Sequence, residues 1–365
     1  MREQYTVSLA FAMTFMGEWS SSGKYDKTSL LMDKVTPTDV LEARRRLTGH
    51  VWLTPCVHAS WLSARVGCDV FLKLENLQHT GSFKLRGALN KLNRLAAEGD
   101  RRPILAVSAG NHGRAVAYGA RLLGLTATVI VPRSAPQTKR DGIERLGARL
   151  ELIGDTYDEA EHAALQRAQA EHVAFVSPYD DAEVIAGQGT IALELLEQVP
   201  DLDTILVPTG GGGLLAGVAM MAKAINPRIR LIGVQPEHAP AMYHAFHAGS
   251  IVAVQEKPTM ADALAGNIAP GAMTVPLISR FVDDIWLVSE ESIRQAVVEC
   301  LAREQMVVEG GGSLAVAALL GGWHLPASRK IAALITGRNI DIGELYRVLH
   351  EPKGNRSCAT ARHEG

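Results

Sequence analysis

The chain has 365 residues, 47% of them apolar, with a formal net charge of -2. That length allows two α/β domains of ordinary size, and the near-neutral charge argues against nucleic acid or an anionic membrane surface as partner. The 34 glycines suit many tight strand-to-helix turns, while Cys56, Cys68, Cys300 and Cys358 are scattered without a C-x-x-C pair, which reads as reduced thiols of a cytoplasmic protein.

Residues 7–17 form an apolar run of signal-peptide length, but Arg2 is followed at once by Glu3 and no clear small-x-small cleavage site follows. The run is also too short to span a bilayer. Residues 1–31 are therefore read as a disordered or misassigned leader, and an ordinary start is placed at Met32, with a helix cap at Thr36 or Thr38. The alternation over 70–75 predicts a strand, and the apolar spacing over 87–97 predicts a helix. Between them Thr80-Gly81-Ser82-Phe83-Lys84-Leu85-Arg86-Gly87 sets one lysine in a small-residue turn at a strand-to-helix junction.

From residue 103 short β runs alternate with longer helical patterns. Strands are predicted over 104–108, 127–131, 149–153 and 174–177, and helices over 112–123, 135–146 and 156–172. A second series follows: helix 187–198, strand 204–207, helix 214–225 and strand 230–234. It continues with strand 285–288, helices 291–304 and 313–320, and strand 330–335. This alternation predicts an α/β fold of two open, twisted parallel-sheet domains with helices on both faces. The expected division is a large domain from 32–102 plus 181–350, a small domain from 103–180, and a flexible tail over 351–365.

Four loops stand at ends of predicted strands, where open α/β sheets gather ligands. The first carries Lys84. An amine withdrawn from water loses part of its charge and becomes a nucleophile toward carbonyls. The second is Ser108-Ala109-Gly110-Asn111-His112, whose amides at a helix N-terminus suit a carboxylate. The third is Gly210-Gly211-Gly212-Gly213, whose backbone N–H groups suit a phosphate. The fourth ends a strand at Thr336-Gly337-Arg338-Asn339 and offers a hydroxyl. A nicotinamide dinucleotide site, with Glu237 on the ribose, would explain the glycine loop. Its spacing is not G-x-G-x-x-G, however, and Lys84 would be left without a role.

A cleft lysine, a phosphate cup, a carboxylate cup and a hydroxyl together suit pyridoxal 5'-phosphate. From about Val35 to Val348 the chain resembles the fold-type II pyridoxal phosphate enzymes, tryptophan synthase β-like in fold, in their serine/threonine dehydratase branch. Gly81-Ser82-Phe83-Lys84-Leu85-Arg86-Gly87 and Ser108-Ala109-Gly110-Asn111-His112 carry the likeness. The resemblance implies that Lys84 holds the cofactor through a Schiff base, with Phe83 beside the ring. It further implies Asn111 on the phenolic oxygen, Gly210, Gly211, Gly212 and Gly213 on the phosphate, and Thr336 at the pyridine nitrogen. It places Ser108, Ala109, Gly110, Asn111 and His112 at the substrate. The implied reaction removes the α-proton with the freed lysine and expels a β-hydroxyl from a small hydroxy amino acid, leaving a 2-oxo acid and ammonia. A homodimer or homotetramer is implied as well.

Several positions depart from that pattern. Ala109 stands where the eukaryotic serine racemases carry a second base, so racemisation is expected to be weak or absent. Gln235 and Ala241 replace the acidic residues of the family's cation site, so no divalent cation is expected there. His238, His244 and His247 nearby are read as solvated helix histidines. The likeness stops near residue 350, so no amino-acid-binding regulatory domain and no feedback inhibition are expected. Arg114 and Arg338 replace an uncharged residue and a glycine beside the expected cofactor site. They are read either as surface arginines at the cleft rim or as part of a changed substrate pocket. Gly113-Arg114-Ala115 and Thr336-Gly337-Arg338-Asn339-Ile340-Asp341 resemble the dehydratase-like branch of hydroxyectoine utilisation.

Overall fold

A computed structural model describes residues 34–323 and 329–350. The expected leader over 1–31 and tail over 351–365 lie outside the described residues. Helix α1 (Pro37–Leu47) is opened by Thr36, whose hydroxyl accepts from Asp39 N while the Asp39 carboxylate returns a bond to Thr36 N at 2.7 Å. That reciprocal box, with proline in the first turn, selects Thr36 over Thr38 as the cap. The short strand β1 (Cys56–His58) and helix α2 (Ser60–Val66) follow, then β2 (Asp69–Leu74).

Helix α3 (Lys84–Ala97) starts at the lysine itself, earlier than its periodicity indicates. The next units are β3 (Ile104–Val107), α4 (Asn111–Leu122), β4 (Ala127–Val131), α5 (Gln137–Glu144), β5 (Arg149–Leu152), α6 (Tyr157–Ala170) and β6 (Ala174–Phe175). Helix α7 (Ala182–Gln198) starts at Ala182 rather than at residue 187, because the Asp181 carboxylate accepts from Glu183 N and Val184 N. After it come β7 (Thr204–Pro208), α8 (Gly213–Ile225), β8 (Arg230–Pro236), α9 (Ala241–Ala248), α10 (Thr274–Phe281), β9 (Asp284–Val288), α11 (Glu290–Glu304), α12 (Leu314–Leu320), β10 (Lys330–Ile335) and α13 (Ile342–His350).

The strands form two sheets. The larger has the order β1-β2-β10-β7-β8-β9, parallel throughout except that β1 runs antiparallel to β2. The smaller, built from the chain between Ile104 and Phe175, has the order β5-β4-β3-β6 and is fully parallel. Successive residues of β10 enter opposite cores: Ala332 and Leu334 one, Ile331, Ala333 and Ile335 the other. The same alternation splits Ala106 from Val107 in the small sheet. Strands buried on both faces are apolar at most positions, which is why they read as continuous runs rather than as alternating ones. No helix among the described residues is long and apolar enough to cross a membrane.

One buried polar cluster fixes the start of α3. Arg86 forks onto Glu75 through Nε and Nη2, both at 2.8 Å, and reaches Glu194 through Nη1 at 2.6 Å and Nη2 at 2.9 Å. Lys73 Nζ donates to Glu194 and to Thr54 O, each at 2.7 Å, and the Thr54 hydroxyl donates to Glu75 at 2.5 Å. All four charged residues are buried, so two cations balance two carboxylates with their hydrogen bonds filled. Such a cluster need not exceed an apolar core in stability, but removing one member strands a charge. We expect Arg86→Met to cost about 3–5 kcal/mol, read as a lower urea midpoint at unchanged slope.

Candidate active site

Lys84 occupies the first position of α3 with its amine end enclosed, and Nζ donates to Pro178 O at 2.7 Å. Burial lowers its pKa to about 8, while the Glu309 carboxylate acts in the opposite direction. The lowered pKa raises the neutral fraction near neutrality far above that of a solvated lysine, which gives the amine nucleophilicity and capacity as a base. The Phe83 ring lies beside it, with Nζ 5.2 Å from the ring centroid.

The turn before Lys84 is held by the loop after β10. Ser82 bridges Gly337 in antiparallel fashion; Phe83 N donates to Thr336 O at 3.0 Å and Arg338 N to Gly81 O at 2.9 Å. Gly81 has φ +76, and a Cβ there would stand 2.8 Å from Asn339 Oδ1, so both conformation and space require glycine. This pairing carries the Thr336 backbone and the Asn339 side chain to the Lys84 loop, although β10 and β2 are far apart in sequence.

Asn339 and Asn111 continue the network. Asn339 Nδ2 donates to Thr80 O at 2.9 Å and to Asn111 Oδ1 at 2.6 Å, and Asn111 Nδ2 donates to Glu309 Oε1 at 2.5 Å. Asn339 N donates to the other oxygen of Glu309 at 3.1 Å. Burial pushes the Glu309 carboxyl up to about 7, opposed by the bond from Asn111. Sequence reasoning met Glu309 only within Val307-Val308-Glu309-Gly310, a stretch that resembles the hydroxyectoine branch, and gave it no role at the site. The signal available was an acid set between the apolar pair Val307-Val308 and the glycines 310–312.

The remaining loops deliver their expected groups unevenly. Ser108 Oγ accepts from Gly110 N at 3.1 Å, turning the chain into α4. His112 lies 2.8 Å from Val176 O through Nε2, so that nitrogen carries the proton. Burial, with Lys84 nearby, lowers its pKa to about 3 and keeps the ring neutral. Gly212 opens α8 with φ +91, and Thr274 Oγ1 donates to Gly211 O at 2.8 Å. Thr336 is buried, and its hydroxyl meets Gly311 O at a long 3.4 Å. Ala109 offers no polar atom.

Arg114 and Arg338 line a pocket of about 280 Å³ together with His79, Arg145 and Asn339; Lys84 is not part of its wall. Arg114 Nη1 donates to Asn339 Oδ1 at 3.1 Å, which ties it to the Asn111 network through one side chain, whereas Arg338 is exposed. Gln235 is buried and accepts from Tyr243 N at 2.8 Å, an internal role in opening α9. His244 and His247 are exposed on α9 and pack edgewise on Tyr243, while His238 is half-buried with Nδ1 at 2.6 Å from Pro258 O.

Whether these groups suit a phosphorylated pyridine aldehyde turns on their unused polar capacity. The hydroxyls of Thr80 and Ser82 and Nδ1 of His112 are buried without a partner among the described residues. Such orphans near the lysine mark polar capacity left for a ligand. With an enclosed amine and a glycine turn at a helix N-terminus, the residues fit the group.

Glu309 gives this site a measurable pH signature. Its folded pKa is raised, so its contribution to stability is complete below the unfolded value near 4.5 and is lost as pH rises through about 7. Glu309→Gln removes the burial cost of the anion. The variant is expected to melt with the wild type at pH 5 and above it at pH 8, by scanning calorimetry at both pH values. A variant no more stable at pH 8 would show that the carboxylate is fully compensated.

Comparisons with known proteins agree with this geometry. The family model described as pyridoxal-phosphate dependent enzyme matches residues 47–337. The L-threonine ammonia-lyase of Thermotoga maritima is 41% identical over 317 residues, covering 87% of this chain and 79% of that protein. The catabolic L-threonine dehydratase of Escherichia coli K12 is 40% identical over 312 residues, covering 85% and 94%. Among solved structures, maize serine racemase superposes with a TM-score of 0.81 at 34% identity, covering 87% of this chain and 97% of that one. The processed form of threonine deaminase isoform 2 from Solanum lycopersicum superposes with 0.81 at 31% identity, covering 90% of each chain. A match over most of the chain, joined to the enclosed Lys84 and its glycine turn, shows that the chain belongs to the family of pyridoxal-phosphate dependent enzymes.

Proposed function

We propose that this enzyme is a lyase that eliminates water from a β-hydroxy amino acid such as L-threonine or L-serine. The water lost at the β-carbon is regained on hydrolysis, so the net products are a 2-oxo acid and ammonium. The observation that carries the reading is the Lys84 amine, enclosed at the first turn of α3 with its pKa lowered to about 8. Relatives named for threonine turnover at 40–41% identity support it.

Bound pyridoxal phosphate supplies the carbonyl that takes the substrate amine and a ring that draws electron density from Cα. In this reading Lys84 holds the cofactor, Phe83 packs beside the ring, Asn111 binds the phenolic oxygen, Thr336 meets the ring nitrogen, and the amides of Gly210–Gly213 take the phosphate. A threonine hydroxyl at that nitrogen supplies no acid strong enough to charge it. Left uncharged by Thr336, the bound group would supply only modest electron withdrawal, which would favour loss of the β-hydroxyl over long survival of charge at Cα. Lys84 Nζ, once released, takes the Cα proton as general base. The amides and side chain of Ser108–Asn111 orient the substrate carboxylate. Ala109 has no proton to give from the opposite face, which favours elimination over inversion.

A narrower reading assigns the substrate to hydroxyectoine breakdown, supported by the likeness of residues 113–115 and 336–341 to that branch, while the charge of Arg114 and Arg338 favours a different substrate. Two guanidiniums repel a second ammonium and attract a second carboxylate, so 3-hydroxyaspartate is the competing substrate. Ammonia release from threonine, serine, 3-hydroxyaspartate and a hydroxyectoine-derived hydroxy-diamino acid ranks these options, with Arg338→Gly run alongside. An unchanged ranking in that variant would remove Arg338 from the specificity argument.

The activity itself is tested at Lys84. The wild type is expected to be yellow, to lose its visible band on borohydride reduction, and to release ammonia. Lys84→Ala is expected to lose the band and at least about 10³-fold in kcat, as befits removal of a nucleophile and base together. A fully active Lys84→Ala enzyme would sink the proposal.

A further inference from the structure

We propose that Tyr179 is a positioning residue that holds the Gly210–Gly213 loop in its phosphate-receiving conformation and joins it to the segment receiving the Lys84 amine. This rests on the cofactor reading above and extends it to a residue outside the lysine, asparagine and glycine motifs.

The Tyr179 ring lies against the loop backbone. A Cβ built on Gly211 would stand 2.5 Å from Tyr179 Cγ, and one on Gly213 would stand 2.6 Å from Tyr179 O. The space that side chains would occupy at those glycines is thus taken by this tyrosine. Its hydroxyl accepts from Ala269 N at 2.9 Å, which anchors the far end of the half-buried ring. From the other direction, Thr274 Oγ1 donates to Gly211 O at 2.8 Å. The loop is held between the ring and Thr274.

The neighbours of Tyr179 are fixed as well. Pro178 O accepts from Lys84 Nζ, Val176 O meets His112 Nε2, and Asp180 Oδ1 accepts from Met273 N at 2.8 Å. One five-residue stretch therefore touches the lysine, the histidine of the second loop and the glycine loop at once. Consecutive glycines have more backbone freedom than any other residues. A cup made of them binds an anion well only if its neighbours order it beforehand. Tyr179 supplies that order.

The test separates the phosphate cup from the rest of the site. Full-length protein stripped of cofactor is titrated with pyridoxal 5'-phosphate and, separately, with pyridoxal, following the Schiff-base band at Lys84. Tyr179→Phe keeps the ring and loses one ordinary hydrogen bond; its affinity for pyridoxal phosphate is expected to fall about fivefold. Tyr179→Ala is expected to lose about tenfold or more, since the loop loses its support. Pyridoxal lacks the phosphate, so its affinity should change by less than about twofold in both variants. Equal losses for the two aldehydes would overturn the proposal in favour of a general structural role, and unchanged pyridoxal phosphate affinity would overturn it outright. If Tyr179→Ala does not fold, Tyr179→Phe decides alone. A wild type that forms no Schiff base with either aldehyde would instead remove the cofactor reading, and the Tyr179 role with it.

Discussion

The backbone pairing of the Gly81–Phe83 turn with the Thr336–Arg338 loop is the constraint on which the site depends. Two hydrogen bonds, Phe83 N to Thr336 O and Arg338 N to Gly81 O, join the end of one central strand's loop to the turn after its neighbour. β10 and β2 lie side by side in register, Ile335 opposite Leu74, so their exits emerge together. One polar network beside the Lys84 turn follows from that proximity: Asn339 against Thr80 and Asn111, and Glu309 against Asn111. A parallel sheet brings such exits to one edge, which is the general reason open α/β sheets bind ligands there.

The electrostatic design divides into two regions with different logic. Under the first turn of α3, Arg86, Lys73, Glu75 and Glu194 are dry and neutral as a set, with every donor matched to an acceptor. That cluster makes a rigid seat. Around Lys84 the matching is incomplete. Its amine has a carbonyl rather than a carboxylate as direct partner, His112 stays neutral, and Glu309 bonds to neutral amides. An ammonium in that setting is stabilised poorly, so the amine gives up its proton more readily than a solvated lysine. The Lys84 amine and its foundation at Arg86 thus lie only two residues apart on one helix, yet in opposite polar environments.

The alternation of strands and helices was legible from the sequence because buried parallel strands are mostly apolar, with exceptions such as Lys73 and Gln235, and their covering helices carry full turns of apolar spacing. β4 and β10 were predicted with their observed ends. Several short elements with little pattern of their own were not foreseen: β1, α2, α10 and α13 are three to nine residues long. Boundaries moved where a side chain rather than hydrophobicity set them, as Asp181 does for α7.

For the site, the sequence by itself determined the groups whose chemistry is written in consecutive residues. Lys84 in its small-residue turn, the Asn111 loop and the four glycines are local arrangements of backbone freedom and side-chain type. Only the tertiary structure decided which distant groups complete them. Glu309 becomes a buried acid titrating near 7 only when folding sets it against Asn111 and removes its water. Arg114 meets Asn339, and Tyr179 fills the space over Gly211, through contacts that no local spacing encodes. Propensity and turn geometry are properties of neighbours along the chain, whereas desolvation and pairing are properties of neighbours in space.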